Sequence, residues 1–427
     1  MTNQLTRRDM LRTSAAVGAG LWIGSSSEAK DEKSPNEKLN LAFIGIGGRG
    51  RDNLRALSRE AVNIVALCDV DDKRAGKAYE QHPKAEKFYD FRRLLDKMEK
   101  GIDGVVISTP DHTHFHPAMM SMRMGKHCYC EKPMAHSIHE VREMTKLAKE
   151  KKVATQLGVQ RHTLKNVHRA VELVKSGAIG KVSEVHCWIG GSRGMPSVPR
   201  NGLKVPDHLK WDLWLGPRKE RAFHSTYAPY GWRFWWDFGT GETGNWGCHI
   251  LDIPFWALDL KYPTKVKASG PPVHDQTTPK AMSTHFEHGE VNLSWYHAKN
   301  GPPILKEKGL KPKGANTLFI GEKGMLLCGF GMTKLLVDGK EVAGGTVKNR
   351  IPKSPGFYKE WILACKGGEA ATCEFGYSGP LTETVLLGNV AYRAGEEFTW
   401  DSENLKTKGS DKAQQLIQED YRKGWEL

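Results

Sequence analysis

The sequence predicts an α/β protein whose N-terminal part is a doubly wound parallel sheet, and three observations carry that prediction. An apolar run of strand length, Leu39-Asn40-Leu41-Ala42-Phe43-Ile44, leads straight into Gly45-Ile46-Gly47-Gly48-Arg49-Gly50 and then a helix-like stretch over 52–58. A second apolar run, 62–68, ends in Asp69, 24 residues beyond Gly45. Strand-like and helix-like segments then alternate as far as Leu157, the pattern of repeated units that builds a parallel sheet.

Each element has a local chemical reason. Glycines at 45, 47 and 50 allow a tight turn and a backbone close enough to touch a pyrophosphate, with a helix N-terminus facing that charge. Gly48 and Arg49 lie inside the same turn. Asp69 stands where an acid accepts hydrogen bonds from the adenosine ribose hydroxyls and repels a 2′-phosphate, which favours NAD over NADP. Asp71 and Asp72 reinforce that sign, while Lys73 and Arg74 keep NADP open. A helix-like stretch over 91–95 precedes the strand 104–108, which ends at Thr109-Pro110-Asp111-His112-Thr113-His114. Helices over 117–124 and 138–151 flank Lys126-His127-Cys128-Tyr129-Cys130-Glu131-Lys132-Pro133. Ligands on such sheets sit at the carboxyl ends of the strands, so Thr109, Pro110, His112, His114, Glu131 and Lys132 are candidate cofactor residues, His114 as a polar lining of the nicotinamide. His112, His114 and His116 alternate, but no carboxylate or cysteine set at metal spacing accompanies them, and no metal is expected.

The glycine turn, the 109–114 turn and Glu131-Lys132-Pro133 together resemble the Gfo/Idh/MocA oxidoreductase family, which includes glucose–fructose oxidoreductase and inositol dehydrogenases. Glu-Lys-Pro is the most specific piece. Gly244-Asn245-Trp246-Gly247-Cys248-His249-Ile250-Leu251-Asp252 is similar to that family's D-x-x-x-H segment. The block 211–239, Gly379-Pro380-Leu381-Thr382-Glu383 and Tyr421-Arg422-Lys423-Gly424-Trp425 resemble exported members, so the likeness covers nearly all of the chain beyond its leader. It implies a Rossmann NAD-binding domain over 39–158. It also implies a C-terminal α/β domain over 159–427, with an open, mostly antiparallel sheet that binds substrate and often forms the contact of a homo-oligomer.

The chemistry implied by the resemblance is hydride transfer between a tightly bound NAD(P) and a hydroxyl of a sugar, sugar derivative or polyol. Lys132 would take the hydroxyl proton or orient the hydroxyl. With an ordinary amine pKa of about 10.4 it needs burial or a positive neighbour to act as a base. The competing reading pairs Lys132 with Glu131 for structure alone. His249 would relay the proton, and a cis bond is expected before Pro133. Asn245 stands where the family has Asp, four residues before His249. An amide donates and accepts hydrogen bonds but takes up no proton at working pH, so a Lys–Asp–His relay loses one member. Either Lys132 and His249 suffice, or the reaction departs from simple alcohol oxidation, or Asn245 holds a sugar hydroxyl. A glycosidase or lyase that oxidises its sugar transiently is the alternative enzyme, and a sugar-binding protein with a vestigial cofactor fold the non-enzymatic one.

Beyond 158 a helix pattern over 164–175 precedes strand-like runs over 182–188, 283–287 and 291–296. Residues 194–245, rich in Pro, Gly and aromatics, read as a functional loop. Seven of the 13 tryptophans lie within 211–256. Flat aromatic faces beside polar groups suit a sugar ring, which nominates Trp235 and Trp246, with Arg233 and Asp237 for its hydroxyls.

Composition sets the outer bounds. A chain of 427 residues, 39% hydrophobic, 9% aromatic and 26% charged, is neither disordered, nor fibrous, nor a multi-span membrane protein. The formal charge is +14, but the basic residues interleave with acids, and no nucleic-acid partner is expected. Thr6-Arg7-Arg8-Asp9-Met10-Leu11-Arg12, a short small-residue run over 14–24 and Ser27-Glu28-Ala29 make a twin-arginine export leader over 1–29, followed by a polar linker over 30–38. The expectation is a periplasmic or otherwise exported protein, without membrane insertion once the leader is cleaved. Eight cysteines without a metal-like CxxC pair read mainly as small buried hydrophobes, though Cys128 and Cys130 share a strand face and could touch.

Overall fold

A computed structural model of the chain describes residues 38–297, 301–343 and 351–427. All of these but Lys38 belong to one compact unit, Leu39–Leu427. The leader expected over 1–29 and all of the linker except Lys38 lie outside the described residues.

Six short strands form the first sheet: β1 (Leu39–Ile44), β2 (Val62–Cys68), β3 (Glu86–Phe88), β4 (Gly104–Ile107), β5 (His127–Cys130) and β6 (Thr155–Leu157). Their spatial order is β3-β2-β1-β4-β5-β6, and every neighbouring pair is parallel. Such a sheet is covered on both faces by its crossover helices, so the central strand β4 is apolar and all four of its residues are buried. The chain order reverses between β1 and β4. The crevice at their carboxyl ends is therefore the ligand position of a doubly wound sheet.

Ten strands make the second sheet: β7 (Val182–Ile189), β8 (Lys265–Ser269), β9 (Met282–His288), β10 (Val291–His297), β11 (Thr317–Gly321), β12 (Gly324–Cys328), β13 (Thr333–Val337), β14 (Lys340–Val342), β15 (Phe398–Asp401) and β16 (Lys406–Lys408). Their order is β14-β13-β12-β11-β7-β10-β9-β8-β15-β16, open at both ends. Only the β7–β10 pair is parallel among the described residues. The alternation that marks 283–287 as a half-buried strand is real: Met282, Thr284, Phe286 and His288 are buried while Ser283, His285 and Glu287 point away.

The stretch 194–245 is less of a loop than its composition suggests. It contains a short helix, Trp211–Leu215, a 3-10 turn, Gly231–Phe234, and the start of an 18-residue helix, Gly241–Leu258. That last helix is buried nearly all round, so no polar face marks it in the sequence. Chain-distant segments also return to the first sheet. Leu157 N–H donates to Cys373 O at 2.8 Å, and Gln156 Nε2 donates to Phe357 O at 2.6 Å. All eight cysteines are free thiols, seven of them fully buried.

Candidate active site

The glycine turn is held from behind by the acid at the end of β2. Asp69 Oδ2 accepts the N–H groups of Ile46 (2.9 Å) and Gly47 (3.1 Å), and Oδ1 accepts Asp71 N–H at 3.0 Å. Burial pushes the Asp69 carboxyl up, against those backbone donors. A carboxylate has more lone pairs than these three bonds use, so bracing the turn leaves capacity for ribose hydroxyls. The turn admits no larger residues. Gly45 sits at φ +79°, and a Cβ on Gly50 would lie 1.8 Å from Gly45 O. The following helix, Arg49–Leu57, has Gly48 as its N-cap and no side-chain cap; Gly50 and Arg51 N–H turn back onto Gly47 O and Gly48 O, and the positive end of the helix faces the turn, where an anion is favoured.

A cavity of about 610 Å³ opens beside this turn. Gly45, Gly47, Gly48, Arg49 and Asp69 line one end, Thr109, Pro110, Asp111, Glu131 and Lys132 its floor, and Arg233, Asn245, Trp246 and His249 the opposite wall. The helix Gly241–Leu258 places Asn245 and His249 one turn apart on the same face. Lys132 Nζ donates to Asn245 Oδ1 at 3.1 Å and has no carboxylate within ion-pair distance among the described residues. Pairing with Glu131 is thus not what Lys132 does. Glu131 Oε1 instead accepts Asn53 Nδ2 at 3.0 Å and Gln160 Nε2 at 2.6 Å. Burial, and then the Arg233 charge, lower the Lys132 amine, with Glu131 and Asp111 opposing. His249 is pushed well down by burial, then by Lys132, Arg161 and Arg49, so its imidazole is neutral. The Lys132–Pro133 bond is cis.

Five nominated residues do not line the cavity. Gly50 packs beneath the turn. His112 is wedged between Trp214 and Phe238, with one ring nitrogen near each of their carbonyl oxygens. His114 spans Pro133 O (2.8 Å) and Thr109 O (2.9 Å), a tie between the ends of β5 and β4 rather than a lining of the nicotinamide. Trp235 is fully buried and gives its Nε1–H to Thr226 O, so it offers no face to a sugar. Asp237 is exposed and paired with Arg221.

The sequence reading also missed residues. Asp111 lines the cavity, and its Oδ2 accepts the N–H (3.1 Å) and Oγ1–H (2.7 Å) of Thr240, joining the β4 end to the start of the Gly241–Leu258 helix. Glu242, one turn before Asn245, accepts Asn245 Nδ2 at 3.5 Å and pairs with Arg193; burial raises its carboxyl. Recognising the helix would have exposed this i, i+3 relationship. Arg161 and Gln160 line the cavity too, with no motif to announce them. Elsewhere, donor atoms of His162, Asp252 and Cys373 lie within 4.8 Å of one another, but the Asp252 carboxylate already bonds His162 and Tyr377.

A doubly wound sheet with this turn at its switch point is a dinucleotide-binding domain, and the second sheet's helix walls its cavity. Two family profiles match the chain: oxidoreductase family, NAD-binding Rossmann fold, over 39–159, and oxidoreductase family, C-terminal alpha/beta domain, over 186–292. The chain belongs to the Gfo/Idh/MocA oxidoreductases and binds NAD through its Rossmann domain.

A "Glycosyl hydrolase family 109 protein" of Stenotrophomonas maltophilia is 26% identical over 70% of this chain and 68% of its own length. A protein of the same name from Solibacter usitatus is 33% identical over 42% of this chain, and inositol 2-dehydrogenase of Salmonella typhimurium 28% identical over 35%. Each of these two matches spans only 45% of the relative's own length. In fold, the chain is similar to the WlbA dehydrogenase of Chromobacterium violaceum, solved with NADH and UDP-GlcNAcA (TM-score 0.63, 17% identity, 86% of this chain and 96% of that one). It is also similar to aldose-aldose oxidoreductase of Caulobacter crescentus, solved with glycerol (TM-score 0.59, 16% identity, 85% and 99%). No helix among the described residues is long and apolar enough to cross a membrane.

Proposed function

We propose that this chain is an exported oxidoreductase that moves hydride between a tightly held NAD and a hydroxyl-bearing carbon of a sugar, sugar derivative or polyol. The observation that carries the reading is Lys132, whose lowered amine faces the cavity and is aimed by Asn245 Oδ1 at 3.1 Å rather than neutralised by an acid. NAD, when bound, accepts the hydride. Lys132 takes the hydroxyl proton or orients the hydroxyl, and Asn245 holds its Nζ in place. His249 is a neutral imidazole able to accept a proton, and Trp246 offers a ring face to the sugar. In this reading 39–158 is the cofactor domain, and 159–427 is the substrate and homo-oligomer domain.

Nicotinamide cofactors are scarce outside the cytoplasm, so NAD would stay bound between turnovers and be regenerated by a second carbohydrate. Folded export through the leader over 1–29 would carry it out already loaded. Replacing Arg7 and Arg8 together by Lys should retain the protein in the cytoplasm; undiminished export overturns the leader.

The test of the chemistry is a single-turnover titration. The processed chain, purified without added NAD, is challenged with sugars, polyols and glycosides while reduced-nicotinamide absorbance is followed. A lasting rise with one class is expected; no rise with any of them overturns the reading.

One second reading has its own support. Asn245 breaks the simple proton relay, and two of the relatives above are named as glycosyl hydrolases. A glycosidase or lyase that oxidises its sugar transiently and returns the hydride would cleave a glycoside with no net change in absorbance.

A further inference from the structure

Beside Trp246 the cavity carries a further cation, Arg161, that no carboxylate meets at ion-pair distance among the described residues. Arg161 lines the cavity with its guanidinium 4.3 Å from the Phe330 ring centroid and 5.3 Å from that of Trp246. No hydrogen bond or ion pair holds that guanidinium among the described residues. Burial and the neighbouring Arg49 both lower it, and no acid offsets them. Arg233 also lines the cavity, stacked at 4.2 Å on Trp232, its only hydrogen bond among the described residues going to Tyr230 O at 3.2 Å. His249 lines the cavity too, and its buried Nδ1 has no hydrogen-bond partner among the described residues.

The acids near this wall are committed elsewhere. Glu131 serves Asn53 and Gln160, Asp111 serves Thr240, and Glu242 pairs with Arg193 behind Asn245. The fields of Glu131 and Asp111 act on Lys132, and those of Asp111 and Glu242 on Arg233, whereas none of these acids acts on Arg161. Arg161 is a cation additional to those the glycine turn offers a cofactor pyrophosphate. The glycine turn has its own cations, Arg49 and Arg74, and an uncapped helix N-terminus. The aromatic partners of Arg161, by contrast, come from the Gly241–Leu258 helix and from Phe330 beyond β12.

We propose that the sugar this cavity takes is anionic, with a carboxylate or phosphate oxyanion held by Arg161 and the ring lying against Trp246. The guanidinium fork matches either oxyanion, whereas a neutral sugar would leave a half-buried cation unpaired. This rests on the sugar reading of the same cavity and narrows it to charged members.

The test measures binding, so it does not depend on turnover. Tryptophan fluorescence of the NAD-bound chain is titrated at low salt with methyl glucoside, methyl glucuronide and glucose 6-phosphate. At least one anion should bind about tenfold more tightly than the neutral glycoside, because hydrogen bonds between two charged groups are the strong ones. The advantage should shrink with added salt, fall to roughly twofold in Arg161→Gln and be intermediate in Arg161→Lys. Which anion has the advantage identifies the oxyanion. Equal binding of all three, or an advantage that survives Arg161→Gln, overturns the proposal. Anion preference without hydride transfer sinks the oxidoreductase reading alone; hydride transfer from neutral sugars without anion preference sinks this inference alone.

Discussion

Lys132 Nζ and Asn245 Oδ1 meet across 3.1 Å, joining the end of β5 to the second turn of the helix Gly241–Leu258. The partner is an amide, so it aims the amine without adding charge to it. Glu242, a turn earlier, holds the other end of that amide at 3.5 Å, so this carboxylate stands one residue removed from the lysine. The amine is consequently lowered by burial, which suits a group that must accept a proton.

A base with a lowered pKa gives a rate that rises with pH through that pKa, below the ordinary amine value of about 10.4. Asn245→Asp places a negative charge beside Nζ and favours the ammonium form. The rising limb of the single-turnover rate should therefore move up by roughly one to three pH units. An unmoved limb would assign the titration to another group.

Lys132→Met removes the amine while keeping the stem. Hydride transfer should fall by roughly 10²–10⁴, the usual contribution of a general base. Bound NAD, assayed separately on denatured protein, distinguishes lost chemistry from lost cofactor.

Two glycines make a matched pair for stability. A Cβ at Gly50 meets Gly45 O at 1.8 Å, so Gly50→Ala should cost about 1–3 kcal/mol and lower NAD retention. Gly76, inside the helix Asp72–Gln81, has nothing within 4 Å, and Gly76→Ala should stabilise by about 0.5–1 kcal/mol. Thermal unfolding of both variants checks the signs.

Acid should unfold this protein partly through buried histidines. Burial pushes His288 and His297 down to about 4, from an ordinary value near 6.5. A folded pKa below the unfolded one means that the neutral form's stability is intact above about pH 6.5 and is lost as pH falls through about 4. Each site is worth as much as about 3 kcal/mol across that window. His288→Phe should flatten the melting temperature between those pH values, and an unchanged slope would remove His288 from the account.

Much of this was legible in the sequence because it is written in short, contiguous spacings. Gly45, Gly47 and Gly50 are required by one tight turn and Asp69 suits the end of the next strand, while Glu131-Lys132-Pro133, at a strand end, was legible through its resemblance to a family motif. Local backbone geometry dictates the glycines and the motif marks Lys132, so the cofactor domain, its parallel sheet and the position of Lys132 follow without knowledge of distant contacts. The tertiary structure decided which polar and aromatic side chains face the cavity. His114 spends its ring nitrogens near two carbonyl oxygens, and Trp235 is sealed in a core, while Trp246 reaches the wall. Lys132 finds Asn245 113 residues away, and Arg161 lies against Trp246 with no motif at either residue to announce the meeting. A side chain's neighbours across the fold depend on how whole helices and sheets pack. Residue type sets what a group can do chemically, and packing sets whether water, a carbonyl or a substrate is there to meet it.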